Sequence, residues 1–325
     1  MNSPIQPRDG LISGGSGNSL SFSDNLAEGE AIVFVHGANR NSADWFAMAS
    51  NLSSYRIVTF DLRGHGQSAV PTDNDYSLAA HSADIEMIVR TLGLPKPFLL
   101  GHSLGGLIAM RYAQHHQVSG IINLDGFDPT EPRLYKGIPA DEVHALQQAQ
   151  RAAMLDADGT TLLSPESASA MIDRAVETAR VLGLPTEIII QTLKRSLFMV
   201  EPDRFERRPR PEALAGVLRS LDEWDMFDFL AQPAAPTLFV HGQRRMPGVA
   251  GQQEPPWVRA LAAGVDELMN VISSESYGPW VRGISLDDAG HMLHIEMPET
   301  VSNIVKSCIR LHEDARGRGR LSDGL

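Results

Sequence analysis

Short β-branched or aliphatic runs alternate with longer stretches of helical spacing through the first 127 residues. Ala31-Ile-Val-Phe-Val35 is apolar at every position, the mark of a strand buried on both faces of a parallel sheet. Residues 55–60, 97–100 and 120–124 repeat the pattern. Between them, residues 43–52, 77–92 and 104–115 carry apolar positions at helical intervals. Strands joined in this way predict parallel βαβ units with right-handed crossovers. The rhythm stops at Asp128. From there to about Gln232 the spacing predicts helices only, over 140–155, 164–182, 186–197 and 211–222. It resumes with a strand over 236–240, a helix over 255–269, a strand over 283–286 and a last helix over 298–312.

The expected fold class is therefore α/β, a mostly parallel central sheet with helices on both faces and an inserted helical cap domain. The core takes residues 27–127 and 233–313, and the cap takes 128–232. Residues 1–26, which include Ile12-Ser-Gly-Gly-Ser-Gly-Asn18, read as a flexible N-terminal extension. Residues 314–325, with Arg316-Gly-Arg-Gly-Arg320, read as a flexible basic tail.

Composition narrows the function without naming it. Forty Asp plus Glu against 28 Lys plus Arg give a formal charge of −12, and so acidic a surface repels phosphate backbones. Nucleic acid is not an expected partner. The single cysteine, Cys308, excludes an intrachain disulfide framework and a cysteine-based zinc site; its apolar-periodic setting reads as helix packing. No apolar run approaches the ~20 residues of a membrane span. Residues 1–25 lack a charged start followed by an apolar core, so no secretory leader is expected and the cytoplasm is the expected compartment.

Chemistry enters at Gly101-His-Ser-Leu-Gly105, which follows one predicted strand and opens the next predicted helix. The pattern alone is weak, but at a sharp strand-to-helix turn the glycines allow close backbone approach and project Ser103 from the sheet top. A serine hydroxyl needs a base. Among 11 histidines, His291 follows the last strand through Asp287-Asp-Ala-Gly290, where Gly290 gives its backbone room; His294 is the competitor. The base in turn needs an acid. The loop from His241 to Pro247 holds no carboxylate, whereas Asp125 ends the strand beside that of Ser103. Asp125 is the expected acid, ahead of Asp287, Asp288 and Glu254. Two N–H groups, those of Leu104 and of Ala38 in His36-Gly-Ala38, are the expected oxyanion donors, with Asn39 as a substitute for Ala38.

Val35-His-Gly-Ala38, Phe60-Asp-Leu-Arg-Gly-His-Gly-Gln-Ser68, Gly101-His-Ser-Leu-Gly-Gly106 and Ala289-Gly-His291 stand in this order along the chain. Together they resemble the α/β-hydrolase fold superfamily, in particular its capped serine esterases and hydrolases. The resemblance covers residues 27–127 and 233–313 and implies a Ser–His–acid triad with Ser103 and His291 on the family positions. It departs at the acid, which most relatives carry after the strand matching residues 236–240 and some after the preceding one, where Asp125 stands. It also implies a bracing role for the loop of Asp61, Arg63 and His65. The expected enzyme is a hydrolase without cofactor or metal that cleaves a small, largely apolar ester or lactone through an acyl-serine. Serine in place of aspartate at the elbow argues against dehalogenase and epoxide hydrolase chemistry. A C–C bond hydrolase, a cofactor-free haloperoxidase-like enzyme, an acyltransferase and a non-catalytic receptor remain as alternatives on the same fold.

Overall fold

The computed structural model describes residues 8–156, 162–245, 254–274 and 276–322. Strands β1 (Arg8–Ser13), β2 (Ser19–Asp24), β3 (Ala31–Val35), β4 (Arg56–Phe60), β5 (Phe98–His102) and β6 (Gly120–Leu124) come first, with helices α1 (Phe46–Asn51), α2 (Leu78–Thr91) and α3 (Leu104–Ala113) among them. Next come α4 (Ala140–Asp156), β7 (Leu162–Leu163), α5 (Pro165–Val181), α6 (Thr186–Arg195), β8 (Leu197–Glu201), β9 (Arg204–Arg207), α7 (Pro211–Leu221) and α8 (Met226–Ala231). The chain then adds β10 (Thr237–Gly242), α9 (Pro256–Ser273), β11 (Val281–Leu286), α10 (Leu293–Glu296) and α11 (Pro298–Ser322). Among the described residues, no helix is long and apolar enough to cross a membrane.

Eight strands form one sheet in the order β1-β2-β4-β3-β5-β6-β10-β11. From β4 to β11 all neighbours run parallel, in the expected strands. Alternate residues of β3 explain its continuous apolar run. Ile32 and Phe34 enter a core with Trp45 and Met48 near α1 and Val301 and Val305 of α11. Val33 and Val35 enter the opposite core, with Ile85 of α2, Leu107 of α3 and Leu268 of α9. Both faces are covered, so neither can be polar. Cys308 packs against the α11 core, and burial pushes its thiol up to about 11, which keeps it un-ionised.

Three expectations fail. Residues 8–24 are an ordered hairpin, not part of a flexible extension: β1 and β2 pair antiparallel, and Phe22 of β2 lies opposite Phe60 of β4. Ser19-Leu-Ser-Phe-Ser-Asp24 alternates in the strand period and buries Leu20 and Phe22; the glycine-serine stretch is the turn, with Gly17 at φ 79°. The cap is not purely helical either, since β7, β9 and β8 form a small antiparallel sheet. Finally, α11 runs to Ser322, so most of the segment read as a flexible tail is helix.

The cap is fastened where it crosses the core. The buried Asp61 carboxylate accepts from Arg195 Nε of α6 at 2.9 Å and from the Ser42 and Gln67 amides, and Asn41 Nδ2 donates to Thr192 O at 2.7 Å. Arg63 of the same loop forms a wholly buried pair with Asp84 of α2, its Nε and Nη2 each 2.7 Å from a carboxylate oxygen. His65, buried, donates from Nδ1 to Arg63 O and is pushed down to about 3 by desolvation, then by nearby His36, which leaves it neutral. The Asp61–His65 loop thus braces rather than reacts.

Candidate active site

Ser103 sits between β5 and α3 with φ 51° and ψ −120°, a conformation costing of order 1–3 kcal/mol for a residue with a Cβ. Its neighbours must be glycine. A Cβ at Gly101 would lie 2.3 Å from the Gly105 carbonyl, and one at Gly105 would lie 2.1 Å from Val35 O. Such spacing lets the chain reverse within hydrogen-bonding reach of the sheet: Ser103 N–H donates to Leu124 O at 2.8 Å. Leu104 is the first residue of α3, so its N–H has no partner within the helix.

One strand over, Asp125 is held just past the end of β6. Its N–H donates to Val240 O at 2.9 Å, and it takes φ 55°, which Asp and Asn tolerate better than most residues. The turn is locked from behind by buried Asn123, whose side chain accepts from Gly126 N–H at 2.7 Å and donates to Gly126 O at 2.9 Å.

His291 lies in the loop between β11 and α10, and its Nδ1 is 2.7 Å from Asp125 Oδ2. An ionised carboxylate only accepts, so Nδ1 carries the proton and Nε2 is left with its lone pair. Two features aim this loop. Gly290 N–H donates to Glu296 Oε2 at 2.7 Å, and His102 Nε2 is 2.9 Å from His291 O. Burial, then the charges of His294 and His291, hold His102 well below the usual histidine range, so it is a neutral donor to that carbonyl. His294 is elsewhere. It is fully buried, its ring centroid 4.7 Å from Trp45 and 4.2 Å from His102, and its Nε2 lies 3.8 Å from Asp44, beyond hydrogen-bonding distance.

Ser103, Asp125 and His291 open into one cavity of about 470 Å³ together with Ala38 and Leu104. The remainder is mostly aliphatic, with Leu214, Val217 and Leu221 from α7 of the cap facing Val258, Leu261 and Val265 of α9. Every expected site residue therefore reaches one place. Glu254, the rival acid, is also on the wall, while the hydrogen bonds of Asp125 show which carboxylate His291 meets.

Sequence reasoning missed His241, at the end of β10. Its Nδ1 lies 2.5 Å from Asp125 Oδ1 and its Nε2 lies 3.1 Å from Asp266 Oδ1 of α9. Burial would push the imidazole down, but hydrogen bonds and charge from Asp125 and then Asp266 hold it above its ordinary value. Asp125 responds in kind: burial would raise it, yet the hydrogen bonds of His241 and His291 keep it below the usual carboxylate range. The signal was available, since His241 occupies the strand end searched only for a carboxylate. Arg244 and Arg245, in the same loop, pair with Glu296 and Asp266, each at 2.5 Å.

A sequence model described as the alpha/beta hydrolase fold matches residues 30–298. Protein phosphatase methylesterase 1 of Bos taurus is 30% identical over 131 residues, which are 38% of this chain and 33% of that protein. The chain thus matches about a third of that relative's length. Among solved structures, an E-2-(acetamidomethylene)succinate hydrolase superposes with a TM-score of 0.69 at 19% identity, over 94% of this chain and 100% of the other. A thermophilic esterase from Thermogutta terrifontis gives 0.62 at 21% identity, over 94% and 99%. At such identities the superpositions establish the shared fold alone.

Proposed function

Since the chain belongs to the alpha/beta hydrolase fold family, we propose that it is a serine hydrolase cleaving a carboxylic ester or lactone of a small, largely apolar substrate. One observation carries the reading. Ser103, His291 and Asp125 line one largely aliphatic cavity, with the His291–Asp125 hydrogen bond leaving Nε2 free to take a proton. Ser103 Oγ attacks the carbonyl carbon while His291 Nε2 takes the hydroxyl proton. The Ala38 and Leu104 N–H groups hold the resulting oxyanion, helped by the positive end of α3. Collapse expels the alcohol, which receives the proton from His291. Water then attacks the acyl-serine, His291 takes its proton, and the second collapse frees the acid and returns the proton to Ser103.

Asp125 fixes the imidazole tautomer and stabilises the imidazolium. The aliphatic wall between α7 and α9 gives the acyl chain its place, and the two arginines beside it, Arg244 and Arg245, are already paired with Glu296 and Asp266. The partial match to a methylesterase supports ester over C–C bond chemistry. The test is a chain-length series of p-nitrophenyl esters beside several lactones, with wild type and Ser103→Ala. Turnover of at least one class, lost in the variant while its thermal unfolding is unchanged, is the expected result. A variant within about tenfold of wild type on a good ester would overturn the acyl-serine mechanism.

A further inference from the structure

His241 is a buried histidine with a carboxylate on each side. Its side chain is 4% exposed, and Phe127 stands edge-on to the ring at 5.5 Å between centroids, fixing its plane. A neutral imidazole has one N–H, so its second nitrogen would point a lone pair at a carboxylate oxygen. Only the imidazolium satisfies both contacts, at 2.5 Å to Asp125 Oδ1 and 3.1 Å to Asp266 Oδ1. Asp125 is thereby divided. Oδ1 receives His241 and the Gly242 N–H at 3.2 Å, and Oδ2 is left for His291.

We propose that His241 is a positioning residue, an imidazolium clamped between Asp125 and Asp266 that fixes the Asp125 carboxylate for His291, and that losing this proton lowers turnover at alkaline pH. The inference rests on the serine-hydrolase reading of the site. The charged groups around the ring come from four elements. Asp125 follows β6, Asp266 lies on α9, Arg245 follows β10 and binds the far side of Asp266, and His291 holds the other oxygen of Asp125. The two carboxylates favour the charged ring, and the direction of its shift agrees with that balance. When pH rises through the folded value of His241, one of its two hydrogen bonds is replaced by repulsion, and Asp125 is free to rotate away from His291. A triad lacking such a brace keeps its activity on the alkaline side once its base is neutral.

The experiment compares pH profiles of kcat and KM for wild type, His241→Asn, His241→Leu and Asp266→Asn, alongside an imidazole NMR titration of wild type and His241→Asn. Asn can donate to Asp125 from the Nδ1 position but does not titrate. Wild type should show an alkaline fall in kcat that His241→Asn lacks. The His241→Asn kcat should exceed that of His241→Leu by about tenfold or more, with KM little changed. Asp266→Asn should move the alkaline limb down by about one pH unit. An alkaline limb that survives in His241→Asn, or is unmoved in Asp266→Asn, overturns the proposal. So does an NMR signal placing His241 at or below the ordinary histidine value. The two readings fail separately: if Ser103→Ala keeps wild-type turnover the catalytic assignment falls, while the titration still decides the charge on His241.

Discussion

Ser103, Asp125 and His291 differ in how the backbone holds them, and that governs what each substitution reports. Asp125 adopts φ 55°, a region in which Asn is nearly as comfortable, so Asp125→Asn should leave the turn intact. The amide would still reach His291, but it no longer compels the tautomer that leaves Nε2 unprotonated. We expect kcat to fall by about 10⁴, by analogy with tautomer loss in serine proteases. Unchanged turnover would show that the acid lies elsewhere. His291→Ala should fall nearly as far. His294→Ala, by contrast, opens a hole beside Trp45 and His102, and should cost about 1–3 kcal/mol of stability with much less effect on kcat. Steady-state kinetics beside denaturant unfolding separates the two histidines, and a reversal would exchange their roles. At this scale the sequence was informative where geometry demands a residue type. Gly101 and Gly105 are forced by backbone collisions, and Asp125 by its place at a strand end. His241 stands at a strand end where a carboxylate was expected, and its position in the sequence does not reveal its charge, which depends on Asp266, 25 residues away on another element.

The elements were legible wherever hydrophobic period and length agreed, as in β3, whose two buried faces require an unbroken apolar run, and in the buried strands β5 and β6, whose apolar cores are Phe98–Leu100 and Ile121–Ile122. They were misread where composition was allowed to outweigh period. Ser19–Asp24 has the alternation of a strand, but the adjoining glycines and serines suggested a loose segment. The N-terminal hairpin makes a direct test. Phe22 is 3% exposed against the sheet edge, so Phe22→Ala should destabilise by about 3–5 kcal/mol in chemical denaturation. A flexible extension would lose nothing. In the cap the hairpin of β8 and β9 was hidden because Leu197–Glu201 is a short apolar run that follows α6 after a single residue, with no glycine or proline to mark the break.

The segment leaving β6 for the cap carries a titratable group whose shift is opposite in sense to that of Asp125. Asp128 is buried and accepts from Thr130 N–H at 2.7 Å and Thr130 Oγ1 at 2.8 Å, but no cation meets it among the described contacts. Desolvation, reinforced by the charges of Glu131 and Asp222, pushes it up to about 7. Its folded value exceeds its unfolded one, so the folded state binds the proton more tightly. Stability should therefore fall as pH rises from about 4 to about 7 and level off above, by at most about 4 kcal/mol from this group. Asp128→Asn keeps both acceptor contacts without a charge. It should raise Tm at pH 8 and flatten that part of the pH–stability curve. A lower Tm at pH 8 would mean that Asp128 is ionised and stabilising there.

For the molecule as a whole, charge and cavity lining favour the same kind of substrate on the proposed ester-hydrolase reading. The chain carries a formal charge of −12, so an anionic ligand approaches against the overall field. At the cavity, Arg244 and Arg245 would be the groups to reverse that preference, yet Glu296 and Asp266 already hold them. Glu254 adds a further carboxylate to the wall, and the surfaces of α7 and α9 present aliphatic carbon. A straight or branched neutral acyl chain gains roughly 0.8 kcal/mol for each methylene buried there, whereas a terminal carboxylate must be desolvated near like charge. Butyrate and pentanoate esters should therefore exceed the matching hemisuccinate ester in kcat/KM by about tenfold or more. Because the disfavouring term is partly long-range Coulombic, the gap should narrow as ionic strength rises from about 0.01 to 0.5 M. Equal rates at low salt, or a preference for the hemisuccinate that disappears in Arg245→Ala, would show that Arg245 leaves Asp266 to bind the substrate.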